Sequence, residues 1–204
     1  MPSPSGMRRA SPPPARRQEA KTVTQFIRTD LDELTSALAG IQNVQVEAFL
    51  KALRTHRRIF LHGQGRSGMV MSMFAMRLMH LGLDVHRIGE PTAPAIRSGD
   101  LLIVGSGSGE TEGCLAAAVK ARSLGATVAL LSAVADSAIG RISDILVILP
   151  CHPKNEAAKL GSAMLAGTIF EQALLIVSDA VCARLASEMG RDPASIMDLH
   201  TNIE

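Results

Sequence analysis

The chain has 204 residues, 47% of them apolar and 20% charged, with a formal net charge of +2. That balance belongs to a globular chain with a sizeable core and excludes a disordered or fibrous one. Five Phe with no Trp or Tyr leave few platforms on which single-stranded nucleic acid or a sugar face could stack. The positive charge is local: Arg8, Arg9, Arg16, Arg17 and Lys21 against Glu19 outweigh it, so the rest of the chain is net negative and offers no basic nucleic-acid surface. No apolar run approaches the roughly 20 residues of a membrane span, and the Pro- and Arg-rich start lacks the apolar stretch of a secretory signal. Cys114, Cys151 and Cys182 are odd in number and lack CxxC spacing, which fits reduced thiols in a cytoplasmic protein.

Residues 1–20 hold five prolines, four arginines and three serines and read as a disordered tail. Residues 21–204 read as one domain: helices over 21–57, a sheet core over 58–189 and a C-terminal segment over 190–204. Phe26, Ile27, Leu31, Leu34, Leu38 and Ile41 recur at helical spacing, followed by Val44, Val46, Phe49, Leu50 and Leu53 in a second amphipathic piece. Two such helices would cover a sheet face or pair with another subunit.

From Arg58 onward strands and helices alternate. Short apolar runs at 59–62, 85–88, 101–104, 127–131 and 145–149 predict five strands. Helices are expected from about Gly65 to Leu81, from Thr111 to Leu124 with Gly125 after it, briefly around 137–142, and from about Ala163 to Met189. Pro193 would start a last short helix ending near His200. This alternation predicts an α/β, flavodoxin-like three-layer sandwich, a five-stranded parallel sheet with helices on both faces. Met69, Met71, Met73, Met76 and Met79 form a stripe that reads as core or subunit interface.

Two glycine-rich turns fall at expected strand ends, where α/β sheets bind ligands. The first is Gly63-Gln64-Gly65-Arg66-Ser67-Gly68. The second is Gly105-Ser106-Gly107-Ser108-Gly109, followed by Glu110 and Thr111. Glycines let backbone approach a ligand closely, and the hydroxyls of Ser67, Ser106, Ser108 and Thr111 with free helix-start N–H groups make an anion cradle. Gly63-x-Gly65-x-x-Gly68 also matches a dinucleotide fingerprint, with Asp84 near the spacing of a ribose-binding acid. Two hydroxyl-bearing turns suit a single phosphomonoester better, and both could be no more than tight turns. Arg66 could lend charge to the phosphate or stand in solvent. For Glu110, the N–H would face the ligand and the carboxylate would turn to sugar hydroxyls or a cation. Glu171 stands out as the single acid between Glu156 and Asp179 in a very apolar helix, where desolvation would favour a base; a partner cation at a subunit contact is the other reading. His62, His80, His86 and His152 lack ligand spacing and read as structural, with no metal site.

GQGRSG, FAMRLMHLG at 74–82, GEPTAPA at 89–95, GDLLIVGSGSGET at 99–111, FEQALL at 170–175 and the closing HTNIE resemble the sugar isomerase (SIS) family, and within it the 6-phospho-3-hexuloisomerase subfamily. The resemblance implies interconversion of D-arabino-3-hexulose 6-phosphate and fructose 6-phosphate in the ribulose monophosphate route. It implies no metal or cofactor, a tetramer with active sites shared between subunits, Glu171 as catalytic base, and His200 reaching a neighbouring site to assist. Arg66, Ser67, Ser106, Gly107, Ser108, Gly109, Glu110 and Thr111 would hold the substrate. An aldose–ketose isomerase of the arabinose 5-phosphate or heptulose phosphate type is the enzymatic alternative. A non-catalytic sugar-phosphate sensor, needing the serines but no glutamate base, is the other.

Overall fold

The structure, a computed structural model, describes residues 21–152, 164–165, 167–192, 198–200 and 202–203. The tail expected at 1–20 and the first part of the helix expected from Pro193 lie outside these residues.

Helices α1 (Val23–Ala39) and α2 (Asn43–Thr55) come first, then β1 (Arg58–Gly63), α3 (Gly65–His80), β2 (Asp84–Arg87), β3 (Leu101–Gly105), α4 (Glu112–Ser123), β4 (Thr127–Ser132), β5 (Ile145–Ile148) and α5 (Thr168–Glu188). The strands form one sheet in the order β2-β1-β3-β4-β5, every pair parallel. The α/β class, the five strands and the cover on both faces are as the alternation predicts.

Alternation of side chains along each strand divides the core in two. Ile59, Leu61, Leu101, Ile103, Ala129, Leu131 and Val147 face a layer made by α1, α2, α3 and α5. Phe60, Leu102, Val104, Val128 and Leu130 face α4, with Ile139 and the partly buried Ile88 and Ile96 completing that side. All of β3 is buried, which is why its sequence is an unbroken apolar run. Each wholly buried Leu or Ile contributes roughly 1.5–3 kcal/mol by leaving water. At the N-terminal ends of the central strands, Asp100 receives both Arg58 Nε (2.9 Å) and Arg58 Nη2 (2.6 Å), tying the starts of β1 and β3 together.

Local differences from the sequence reading have physical causes. The short helix expected around 137–142 is one 3-10 turn, Gly140–Ile142. The long helix starts at Thr168, not Ala163: Met164 and Leu165 are not helical, and Gly167 at φ 88° turns the chain into the helix through the left-handed region. Of the stripe on α1, Leu34 is buried and Leu38 partly so, whereas Phe26, Ile27 and Leu31 face outward because α1 leans on α5 along one edge. The methionine stripe splits: Met71 is core, while Met69, Met73, Met76 and Met79 are exposed.

The start of α3 presses on the end of β1. A Cβ on Gly68 would lie 2.5 Å from the carbonyl oxygen of Gly63 and 2.9 Å from its carbon, so the spacing of these glycines is a packing requirement. Gly68→Ala should therefore lower stability by about 1–3 kcal/mol, the cost of overpacking a tight contact. Urea unfolding checks this: the midpoint should fall with the slope unchanged, and an unaltered midpoint would show that the approach is loose.

Candidate functional site

Gly63 and Gly105 are register partners across β1 and β3, so the two glycine-rich turns leave the same edge of the sheet side by side. Beyond them the chain diverges, α3 packing on one face and α4 on the other. This is the switch point of the strand order, β1 leading outward to β2 and β3 onward to β4, and the crevice there is the ligand position of such sheets. Neither helix start is capped by its own N-cap side chain, Gln64 or Thr111, so the leading N–H groups of both remain for an acceptor.

The second turn is held by its own backbone. Gly109 N–H donates to Ser106 O (3.2 Å), Ala133 N–H to Gly107 O (3.1 Å) and Ile139 N–H to Gly109 O (3.0 Å). Gly109 has φ 65°, and a Cβ there would sit 2.1 Å from Ser137 Oγ, so glycine alone fits. Ser106 is buried, its hydroxyl 3.1 Å from that of Thr111, while Ser108 is exposed. Ser67, in the first turn of α3, is half-buried.

The first turn of α5 meets both loops. Gly107 lies against Phe170, where an added Cβ would be 2.9 Å from the ring, and the next residue is Glu171. Its carboxylate, 13% exposed, receives Arg66 Nε. Arg66 and Glu171 thus line a groove between α3 and α5 with Met69, Val70, Met73, Gln172 and Leu175, and Phe170, next to Glu171, links the start of α5 to the second turn at Gly107. Glu171 has the cationic partner that the second reading of its sequence expects, supplied by Arg66 of the same chain and not at a subunit contact.

One expected position differs. Glu110 does not pair with a cation among the described residues: its Oε1 accepts Ala138 N–H (2.7 Å) and its own N–H donates to Ser108 Oγ (3.2 Å). The carboxylate satisfies a backbone donor of the 133–140 segment and so keeps away from the anion cradle, where it would repel a phosphate. His200 does not reach the crevice of its own chain. It stacks on His80, ring centroids 5.0 Å apart, at the far end of α3, about 21 Å from Arg66 at 1.5 Å per residue.

The dinucleotide reading fails on placement. Asp84 pairs with Arg58 at the start of β1 and contacts His86 Nε2 (2.8 Å), at the sheet edge opposite the turns. Where a ribose-binding acid would stand, β2 ends in Arg87, whose Nη1 donates to Gly68 O (2.6 Å) and to Ser72 Oγ. Arg87 fixes the first turn of α3 from a neighbouring strand. The Gln64 side chain packs against the first turn of the other helix, lying where a Cβ on Gly113 would be. Sequence reasoning missed both; their types at strand and helix ends give no local signal of a long-range contact.

The SIS domain family profile matches residues 52–176, the stretch that carries both turns and Glu171. The chain belongs to the SIS domain family. It is 37% identical over 182 residues to the 3-hexulose-6-phosphate isomerase of Bacillus subtilis (strain 168), covering 89% of this chain and 98% of that protein. To the 3-hexulose-6-phosphate isomerase of Mycobacterium gastri it is 38% identical over 173 residues, covering 85% and 87%. A crystal structure from Methanococcus jannaschii, described as inferring a molecular function of 3-hexulose-6-phosphate isomerase, superposes with a TM-score of 0.75 at 28% identity, covering 86% of this chain and 99% of that one.

The cysteines and buried histidines of this SIS domain lie in its frame. Burial raises the Cys114 thiol, pushes Cys151 up to about 11 and Cys182 up to about 12, so none is a thiolate near neutral pH. His62, at the end of β1, is held below its ordinary value first by burial and then by the charge of Arg87; His80 is held below it by burial, then by His200 and Arg77. The Nδ1 atoms of both are buried without a hydrogen-bond partner among the described residues. Each is therefore neutral when folded but takes up a proton on unfolding once pH falls below about 6.5, so stability is lost as pH drops from there toward the folded value. Thermal unfolding of the His62→Gln/His80→Gln double variant should show a smaller drop in Tm between about pH 7.5 and pH 5.5 than the unsubstituted chain. An equal drop would mean that neither histidine carries the acid sensitivity.

Proposed function

We propose that this chain is a sugar-phosphate isomerase that interconverts D-arabino-3-hexulose 6-phosphate and D-fructose 6-phosphate through a 2,3-enediol. The observation that carries the reading is the meeting of Glu171 with two uncapped, hydroxyl-lined helix starts at one strand edge. The named activity of relatives that match nearly the whole of their length supports it. The phosphate sits between the turns, bound by Ser67, Ser106, Ser108 and Thr111, by the leading N–H groups of α3 and α4, and by the Arg66 guanidinium. Gly107 and Gly109 let the backbone approach it.

With the phosphate fixed, the sugar carbons lie along the crevice toward α5. Glu171 takes the proton from C2; the C2–H electrons form the C2–C3 double bond while the C3 carbonyl oxygen gains a proton. The same carboxylate returns the proton to C3 as the C2 hydroxyl loses its own and becomes the new carbonyl. One positioned carboxylate serving both transfers contributes typically 10²–10⁴-fold, and the scheme balances without a metal or cofactor.

His200 assists from a neighbouring subunit of a homotetramer, moving the proton between the enediol oxygens. Its distance from its own chain's crevice and the exposed methionines of α3 beside that crevice support a shared site. The setting is cytoplasmic, in the ribulose monophosphate route.

Three measurements test this. In deuterated water with fructose 6-phosphate, label should enter C3; label at C1 would indicate an aldose product instead. Glu171→Gln should lose about 10²–10⁴ in kcat while still binding fructose 6-phosphate, and unchanged turnover would remove Glu171 from the chemistry. Inactive Glu171→Gln and His200→Ala chains, mixed and allowed to exchange subunits, should regain part of the activity. No recovery would place His200 outside the shared site.

A further inference from the structure

Arg66 and Glu171 stand in the scheme above as separate groups, one for phosphate and one for the proton. The structure joins them. Glu171 is fixed in the first turn of α5, its N–H bonded to Gly167 O (3.1 Å) and its side chain 13% exposed. Arg66 stands in the first turn of α3 with its side chain 66% exposed, and Arg66 Nε donates to Glu171 Oε2. A carboxylate that holds a guanidinium N–H on one oxygen is a poorer acceptor for a proton from carbon, because the nearby cation stabilises its charged form. The long, exposed arginine stem is freer to swing than the half-buried Glu171 side chain.

We propose that the Arg66–Glu171 ion pair is a latch opened by the substrate's own phosphate: the phosphate draws the guanidinium onto itself and so exposes the Glu171 carboxylate to the sugar. This rests on the phosphosugar reading and makes Arg66 a positioning residue of that same site. Three features set the exchange. Arg66 is next to Ser67, so a phosphate between the two turns lies within reach of its side chain. A phosphate offers more charge and three acceptor oxygens against one carboxylate oxygen engaged through a single N–H, and the planar guanidinium matches it bidentately. Part-exposed ion pairs are weak enough to be displaced by a bound dianion. The latch ties readiness of the base to the presence of a phosphate group, so a sugar without phosphate meets an occupied carboxylate.

Binding of inorganic phosphate and of fructose 6-phosphate, measured by titration calorimetry on the full chain, separates this from alternatives. Glu171→Gln should bind both ligands about two- to fivefold more tightly than the unsubstituted chain, because no partner competes for Arg66. Arg66→Gln should bind both more weakly, and adding Glu171→Gln to Arg66→Gln should give no such gain. An equal gain with and without Arg66 would reduce the effect to repulsion between carboxylate and phosphate and overturn the latch. So would unchanged or weakened binding by Glu171→Gln. Failure of the underlying reading looks different: no variant, nor the unsubstituted chain, would bind either ligand.

Discussion

Everything at the site depends on how closely β1 and β3 run and how abruptly they part. Their last residues, Gly63 and Gly105, are both glycine and stand in register. There the next turn of chain, the side chain of Met71 and the start of α3 all press within a few ångströms. Two helices then leave on opposite faces with their N-terminal ends at one edge, which focuses two sets of unpaired N–H groups on one small volume. The proposed phosphate cradle follows from that packing, with the hydroxyls refining it.

The four-helix layer then supplies what the cradle lacks. α5 crosses the same face as α3, so that Phe170 seats on Gly107 and Glu171 falls opposite Arg66. The opposite charges come from first turns of different helices, far apart in sequence and adjacent in space. Arg87, from the edge strand, pins the α3 turn through Gly68 O. Acidic Glu110 is turned aside onto the Ala138 N–H, so Glu171, paired with Arg66, is the carboxylate that faces the proposed cradle.

Much of this was legible in the sequence. The five strands read correctly because buried parallel strands are short apolar runs bounded by glycine, and both turns announced themselves by composition. What could not be read was side-chain pairing at long range. Nothing local marks Arg66 as the partner of Glu171, Arg87 as the clamp on Gly68, or Glu110 as an acceptor for a loop 28 residues away. The outward Phe26, Ile27 and Leu31 misled for a related reason: an apolar stripe tells that a surface is to be covered, not by what. His200 was singled out by resemblance, and its stacking on His80 at the far end of α3 is a contact no periodicity contains.

The central claim is that one phosphate bridges the two turns beside Glu171. A crystal structure with fructose 6-phosphate bound tests it most directly. The account predicts phosphate oxygens at hydrogen-bond distance, about 2.7–3.2 Å, from Ser67 on one turn and from Ser106, Ser108 or Thr111 on the other, with the Glu171 carboxylate facing C2 and C3. A phosphate held by one turn alone, or a sugar whose C2 and C3 lie away from Glu171 in every subunit, would contradict it.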